Sequence, residues 1–353
     1  MKYNNCTFLL TGDAIQWEEV EKAIRTILRS YEEKTGHYLR EGESEGELDA
    51  PAAKRSRRSS GYGKLAGDRG RKKTKWQIIS EKLSTLLERT AICPLEGIKS
   101  EKCFLEDDWL TDPDHSTKVN KAIEIWSHKI NCWTLREFYE MYQRANQEEL
   151  IFSRSKTYYS LNESVDIIDR LLKFQFDDDE TCIKDFLQNL VNVLDWQPDS
   201  RPGCNIKCNT FLVHSKPSAG KNFFFDTIFT LLLNLGQLGT ANKSNNFAFQ
   251  DAANRRVILW NEPNYESSMT DYLKTLFEGG DTKVRVKMLG DTHVKRTPII
   301  ILTNNVVNFM TDIAFKDRIK QYKWKAAPML KEYNLKPYPL VFFEILLKYE
   351  INF

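Results

Sequence analysis

Apolar residues recur at spacings of three and four from residue 76 to about residue 196, which is the spacing of one face of an α-helix. The stripes begin at five positions: Trp76, Val119, Leu135, Val165 and Ile183. Thr134 and Glu137 are placed as a capping box would be at the start of the third stripe. The pattern predicts an α-helical bundle over residues 76–196, with the aromatic residues packed in its core.

The pattern changes after residue 196, where Pro198, Pro202 and Gly203 interrupt the helical spacing. Short apolar strands then alternate with helices, and the predicted strands are residues 210–213, 257–260 and 298–302. This alternation is typical of an α/β fold with a largely parallel central sheet. We assign residues 197–325 to this core and residues 326–353 to a C-terminal helical tail.

The first 75 residues differ from the rest in charge. Residues 54–75 hold ten Lys or Arg and one Asp, whereas the whole chain of 353 residues has a net charge of only +2. Binding of a polyanion must therefore come from local patches. Apart from an amphipathic helix at 14–31, residues 1–75 are predicted to be a largely disordered extension. The basic run resembles nuclear-import signals, and a solvated linker that touches nucleic acid without specificity is the alternative.

Cysteine usage and hydropathy exclude several classes of protein. The seven cysteines are scattered and odd in number, so no disulfide framework is predicted. Cys204, Cys208 and His214 offer part of a zinc site, but no second pair completes it, and zinc is not predicted. No run of about 18 apolar residues is present, and the N-terminus lacks a signal pattern, so we expect neither secretion nor a membrane.

A strand, a tight loop with Gly-Lys and a helix follow one another at residues 210–235, as a phosphate-binding loop requires. Backbone N–H groups at the start of such a helix cradle phosphate oxygens. We predict that Lys221 contacts the β- and γ-phosphates of ATP and that Asn222 is a Mg²⁺ ligand. The predicted ATP-binding residues are Ser215, Pro217, Ser218, Ala219, Gly220, Lys221 and Asn222. Ser215 takes the place of the first loop glycine and is expected to strain the turn if that position needs a positive φ.

Polar residues also end two later apolar strands. Glu262 follows one strand and can orient and deprotonate an attacking water, while Asn261 beside it can hold Mg²⁺ or a water of its shell. Asn304 follows the other strand, and its amide can bridge the γ-phosphate and that water. Each of these positions is an ordinary strand end if it is taken alone.

Two basic strands follow a Gly-Gly break, with a turn expected at residues 289–292. Alternate residues of a strand project to one face, so cations at every second position can line up along a DNA backbone. The predicted DNA contacts are Lys283, Arg285, Lys287, His293 and Lys295. A solvated basic hairpin is the alternative.

These motifs stand in a fixed order along the chain: GKN at 220–222, WNEP at 260–263, KVRVK at 283–287, P-x5-N at 298–304 and DR at 317–318. The set resembles the superfamily 3 helicase domain of parvovirus non-structural replication proteins. Residues 240–265 are similar to the densovirus branch of that family. The resemblance covers about residues 200–325.

The resemblance implies an AAA+ fold assembled as a ring, commonly a hexamer, that binds ATP between subunits and unwinds DNA. Lys221 matches the family's phosphate-loop lysine, Glu262 its catalytic acid and Asn304 its polar sensor. Arg318 matches the arginine finger that reaches the γ-phosphate on a neighbour, so we expect it to face outward. The implied setting is replication of a single-stranded DNA virus in a host nucleus, with ATP and Mg²⁺ as cofactors. Single-stranded DNA, duplex junctions and further copies of the chain are the implied partners.

Two positions depart from the family pattern. Ser215 replaces a loop glycine, and Asn261 stands where the first of two paired acids is usual. Both bear on the hydrolysis rate more than on nucleotide binding. The alternative function is therefore an ATP- and DNA-binding scaffold, or a packaging or regulatory protein, with weak or no turnover. The family's nicking nuclease is not predicted, because no two histidines flank a single apolar residue.

Overall fold

The computed structural model describes residues 73–145, 151–152, 158–195, 206–242 and 244–353. Several predictions fall outside these residues: the helix at 14–31, the basic run up to residue 72, the break at 198–203 and the position of Cys204. The described residues belong to one compact unit, Gly70–Phe353. Within the described part of the chain, no helix is both long and apolar enough to cross a membrane.

Helices dominate the first half of the described chain, as the apolar stripes predict. Three of them begin with a capping box, including the one predicted from Thr134 and Glu137. The helices are α1 (Lys75–Arg89), α2 (Lys102–Leu105), α3 (Asp108–Thr111), α4 (Ser116–Ile130), α5 (Leu135–Arg144), α6 (Leu161–Gln175), α7 (Glu180–Leu194), α8 (Lys221–Leu232), α9 (Thr270–Phe277) and α10 (Val341–Lys348).

Five strands form a parallel sheet in the second half, in the order β4-β5-β8-β3-β9. The three predicted strands are present and each ends one or two residues later than expected. The strands are β1 (Thr90–Ala91), β2 (Ile151–Phe152), β3 (Thr210–Ser215), β4 (Leu235–Gln237), β5 (Val257–Asn261), β6 (Thr282–Val286), β7 (Gly290–Val294), β8 (Ile299–Thr303) and β9 (Ile319–Trp324). The pair β1–β2 is a separate short sheet, and β6–β7 is an antiparallel hairpin.

Alternate side chains of the central strands pack into two apolar clusters, one on each face of the sheet. Phe211 and Val213 join the large cluster that holds the helices of the first half, α8 and α10. Leu212, between them, joins the smaller cluster under α9 and the β6–β7 hairpin. The buried face of α10 lies in the large cluster with residues of the first-half helices, so the C-terminal segment is packed into the core.

A buried ion pair joins the helical half to the sheet. The Arg256 guanidinium, just before β5, lies 2.8 Å from Asp195 at the end of α7, and both side chains are almost fully buried. Asp195 also accepts the backbone N–H of Leu135, which opens α5. The predicted α/β fold with a parallel sheet and preceding helices is confirmed, whereas the domain boundaries at 196 and 325 remain predictions.

Candidate functional site

The phosphate-binding loop predicted from the sequence lies between β3 and α8. Gly220 caps the helix with a φ of 85°, and a Cβ at this position would lie 2.5 Å from Leu330 Cδ1, so both conformation and space favour glycine. The strain expected at Ser215 is absent, because among the described residues the loop's left-handed non-glycine position is Ser218, with a φ of 64°. The serine at 215 therefore fits the turn without a positive φ.

Lys221 is the first residue of α8, and its side chain is buried. Its Nζ donates to Ser215 Oγ at 2.5 Å, to the Thr303 carbonyl at 3.1 Å and to Asn304 Oδ1 at 2.8 Å. Burial lowers the pKa of Lys221 because it disfavours the charged form, and the nearby Glu262 carboxylate opposes this effect. Ser215, which replaces a glycine, thus supplies a polar partner for this ammonium group.

Glu262 follows β5 in a left-handed conformation with a φ of 48°. Such a conformation is uncommon for glutamate and is a form of strain that concentrates at functional sites. The Glu262 carboxylate accepts the backbone N–H of Asn304 at 3.0 Å and the Asn304 side-chain Nδ2 at 2.5 Å. Two bonds from one residue therefore fix the direction of this carboxylate.

Asn304 connects the lysine and the glutamate. Its amide oxygen faces the Lys221 ammonium and its amide nitrogen faces the Glu262 carboxylate. The reverse orientation would set an NH₂ group against the ammonium and an oxygen against the carboxylate, so the two neighbours determine how the amide is turned. The three side chains form one hydrogen-bonded line.

The topology of the sheet explains why these residues meet. β3 and β5 both pair in parallel with β8, so the segments that follow the three strands emerge at the same edge. Ligands of open α/β sheets bind at this carboxyl edge. The predicted convergence of the Gly220–Lys221 turn, Glu262 and Asn304 is present in the structure.

Asn222 and Asn261, the predicted Mg²⁺ ligands, have exposed side chains. Asn222 is the second residue of α8, and Asn261 is the last residue of β5, directly before Glu262. Oxygen ligands and ordered waters are what Mg²⁺ prefers, so the amide oxygens of these two residues suit this ion chemically. Within the described residues, neither side chain is engaged by a hydrogen bond, and both are available for a ligand. Pro217 is exposed on the loop between β3 and α8.

Gln175 supports the loop from behind, and the sequence analysis missed it. Its Nε2 donates to the carbonyls of Ala219 and Lys325, at 3.1 and 2.9 Å, and its Oε1 accepts the Lys325 N–H at 2.6 Å. The Ala327 N–H also donates to the Ser218 carbonyl, so the residues directly after β9 hold the loop. Gln175 is buried at the end of α6, in register with Ile168, Leu171 and Leu172. A polar residue on an apolar stripe was the available signal.

The basic hairpin is present, but its turn begins two residues earlier than predicted. β6 ends at Val286, β7 begins at Gly290, and residues 287–289 form the turn. Gly290 has a φ of 74° and favours a turn at this place. Lys287 is therefore in the turn and does not continue the strand face of Lys283 and Arg285, as the sequence analysis expected.

The exposed face of the hairpin carries acids as well as the predicted cations. Lys283 is opposite His293, and Arg285 is opposite Asp291 at 3.9 Å. His293 contacts Asp281 at 3.0 Å, so its ring is held against a carboxylate. Lys295 follows β7 and is exposed. Positive charge dominates the hairpin, although the two aspartates offset part of it.

Arg318 does not face outward in this structure, so that expectation is wrong for the described conformation. Its guanidinium contacts Glu278 at 2.8 Å and donates to the carbonyls of Lys274 and Ala314 in the same chain. The residue is partly buried just before β9. Arg318 therefore has a carboxylate and two carbonyl oxygens as partners, and a guanidinium binds such acceptors strongly.

Comparison with known proteins gives the site its context. Residues 204–325 match the family model described as parvovirus non-structural protein NS1. The initiator proteins NS1 of Junonia coenia densovirus and of Diatraea saccharalis densovirus are each 48% identical over 309 residues. Each match covers 85% of this chain and 55% of the relative, so the chain spans about half the length of these relatives.

Among solved structures, the X-ray structure of JCV helicase is similar at 11% identity with a TM-score of 0.46, over 79% of this chain and 83% of that one. The family match spans β3 to β9 and therefore includes the loop, Glu262, the hairpin, Asn304 and Arg318. Residues 204–325 of this chain are thus similar to the parvovirus NS1 family model, and the chain is similar to part of the densovirus initiator proteins.

Proposed function

We propose that this chain is an ATP-dependent DNA helicase or translocase that serves replication of a single-stranded DNA virus. The observation that carries the proposal is the hydrogen-bonded line from Lys221 through Asn304 to Glu262 at the carboxyl edge of the sheet. The relatives named initiator protein NS1 support a role in replication. ATP and Mg²⁺ are the proposed cofactors.

The three residues have separate tasks in the proposed hydrolysis. Lys221 exchanges its present uncharged hydrogen-bond partners for the β- and γ-phosphates, whose negative charge offsets the cost of burying the ammonium group. Glu262, held by Asn304, aligns a water with the γ-phosphate and accepts its proton. Asn222 and Asn261 would hold Mg²⁺, directly or through waters, and the ion would neutralise charge on the phosphate oxygens.

DNA is the proposed second ligand, bound by the β6–β7 hairpin. Lys283, Arg285 and Lys287 are exposed and can contact phosphates without regard to base sequence. Removing Lys283 and Lys287 should weaken binding and flatten its dependence on salt, since each lost phosphate contact lowers the salt slope by roughly 0.7 for single strands. His293 is a weaker candidate, because its ring already contacts Asp281.

Ring assembly, commonly as a hexamer, is proposed from the family resemblance. In a ring, Arg318 would complete the site of the neighbouring subunit, which requires it to leave Glu278. Neither Arg318→Ala nor Glu262→Gln subunits should hydrolyse ATP alone, but mixing them should restore part of the activity. No recovery on mixing would argue against a shared interface.

A host nucleus is the proposed location, based on the basic run at residues 54–75. A fluorescent fusion of the full chain should accumulate in nuclei of insect cells. A variant with the Lys and Arg residues of that run replaced by Gln should lose this accumulation. Equal distribution of both proteins would contradict the proposal.

The decisive experiment for the proposed activity is the ATPase rate of the purified chain with and without single-stranded DNA. The proposal expects stimulation by DNA and strand separation of a tailed duplex, both abolished in Lys221→Ala. Low turnover that DNA does not change would favour the scaffold, and failure to bind ATP would refute both.

A further inference from the structure

The tip of the β6–β7 hairpin carries two exposed apolar side chains. Met288 is 95% exposed and Leu289 is 79% exposed, and both lie in the turn after Lys287. Single exposed apolar residues are common on protein surfaces. Two adjacent ones at the end of a projecting hairpin are a local feature that needs its own explanation.

Core packing does not explain this tip. The hairpin is anchored at its other end, where Val284 and Val294 are buried in the smaller apolar cluster under α9. Around the tip, a Cβ added at Gly290 would meet no atom within 4 Å, so this end stands in open space. The side chains of Met288 and Leu289 therefore contribute little to the stability of the fold.

Turn chemistry does not explain it either. Met288 has a φ of 69°, a left-handed conformation in which glycine, asparagine or aspartate is the usual residue. A methionine there is less favourable by about 1–2 kcal/mol. An apolar side chain is thus present at a position where both solvent exposure and backbone conformation favour a different residue.

The charges around the tip indicate what the apolar pair contacts. Lys287 precedes it directly, and Lys283 and Arg285 are exposed on the strand that leads to it. A DNA strand whose phosphates follow these cations would bring its bases within reach of the turn. Apolar side chains such as Met and Leu can insert between neighbouring bases and unstack them.

We infer that Met288 and Leu289 form a base-contacting wedge, which inserts between adjacent bases of a DNA strand while the hairpin cations hold its phosphates. The inference rests on the proposed function, because DNA is the ligand of that function. A protein partner fits less well, since two side chains at the tip of a mostly basic hairpin offer far less than the area of a stable protein interface.

The test compares normal and abasic single-stranded DNA, which have the same phosphates but differ in bases. The variant is Met288→Ser with Leu289→Ser, and the matched control is Ile313→Ser, which removes another apolar side chain with 85% exposure. The substituted residues are exposed, so all proteins should unfold at the same temperature. Binding is measured by fluorescence anisotropy without nucleotide, over a range of salt concentrations.

We expect the double variant to bind normal DNA roughly tenfold more weakly, the order expected for a lost base contact. Its salt slope should equal that of the unchanged chain, because no phosphate contact is removed. Abasic DNA should bind the unchanged chain as weakly as the variant binds normal DNA, and base removal should have little effect on the variant. The control should behave as the unchanged chain.

If the change from normal to abasic DNA lowers the affinity equally in the unchanged chain and in the variant, the wedge is overturned. The proposed function would still stand. A variant that binds DNA normally but no longer self-associates would assign the tip to contacts between copies, and would also overturn it. If the unchanged chain binds no DNA at all, the proposed function fails together with the wedge.

Discussion

Asn304 offers the sharpest test of the hydrolysis site, because it touches both charged residues. Asn304→Ala removes the amide bond to Lys221 and the side-chain bond to Glu262. Lys221 keeps Ser215 and the Thr303 carbonyl, and Glu262 keeps the backbone N–H of residue 304. Folding and ADP binding should therefore change little, while the Glu262 carboxylate loses part of its orientation.

The expected loss of rate follows from the lost bond. A hydrogen bond to a charged group contributes about 1.5–3 kcal/mol. Because about 1.4 kcal/mol in the barrier corresponds to a tenfold change in rate, kcat should fall roughly ten- to hundredfold. DNA-stimulated ATPase activity at saturating ATP measures kcat. Nucleotide binding is measured separately by displacement of a fluorescently labelled ADP, which should give an unchanged Kd.

Asn304→Asp is the matched control for size. It has nearly the shape of asparagine but sets a second carboxylate against Glu262, where two like charges disfavour ionisation of both. Its rate should therefore fall further than that of the alanine variant. An alanine variant within twofold of the unchanged chain, or an aspartate variant that is fully active, would refute the role given to this amide.

Three further predictions follow from buried or paired charges. Burial lowers the pKa of Lys221, so the affinity for ATP should fall as the pH rises through that lowered pKa and the ammonium loses its proton. The affinity of Lys221→Arg should not change over the same pH range, and the same pH dependence in both proteins would contradict the prediction. Arg256→Leu removes the guanidinium that offsets the charge of the buried Asp195 carboxylate, and it should lower the free energy of unfolding in urea by about 3–5 kcal/mol, with partial recovery when Asp195 is also replaced by Leu. Glu278→Gln should release Arg318 and raise the ATPase rate of the assembled protein; a lower rate with lower stability would show that the pair only braces its own subunit.

Much of the fold could be predicted from local patterns. The helices α1, α4, α5, α6 and α7 and the three central strands follow directly from apolar spacing, and the capping box at Thr134 was correctly located. The meeting of Lys221, Glu262 and Asn304 was also predictable, because parallel strands end at one edge of a sheet. Here short-range pattern and topology agree, and few alternatives remain.

The errors arose where the outcome depends on contacts distant in sequence. Arg318 was expected to face outward, but Glu278, 40 positions earlier, captures it in the isolated chain. Gln175 was missed because its partners, Ala219 and Lys325, come from other elements. The hairpin turn was misplaced because the glycine that ends it, Gly290, was assigned to the turn itself.

The central claim is that the line from Lys221 through Asn304 to Glu262 acts on one triphosphate. A structure determined with Mg²⁺ and a non-hydrolysable ATP analogue tests it most directly. The account predicts the γ-phosphate in contact with Lys221 Nζ and the Asn304 amide, with a water between it and Glu262. A nucleotide bound away from the Gly220–Lys221 turn, or with Glu262 directed away from the γ-phosphate, would contradict the account.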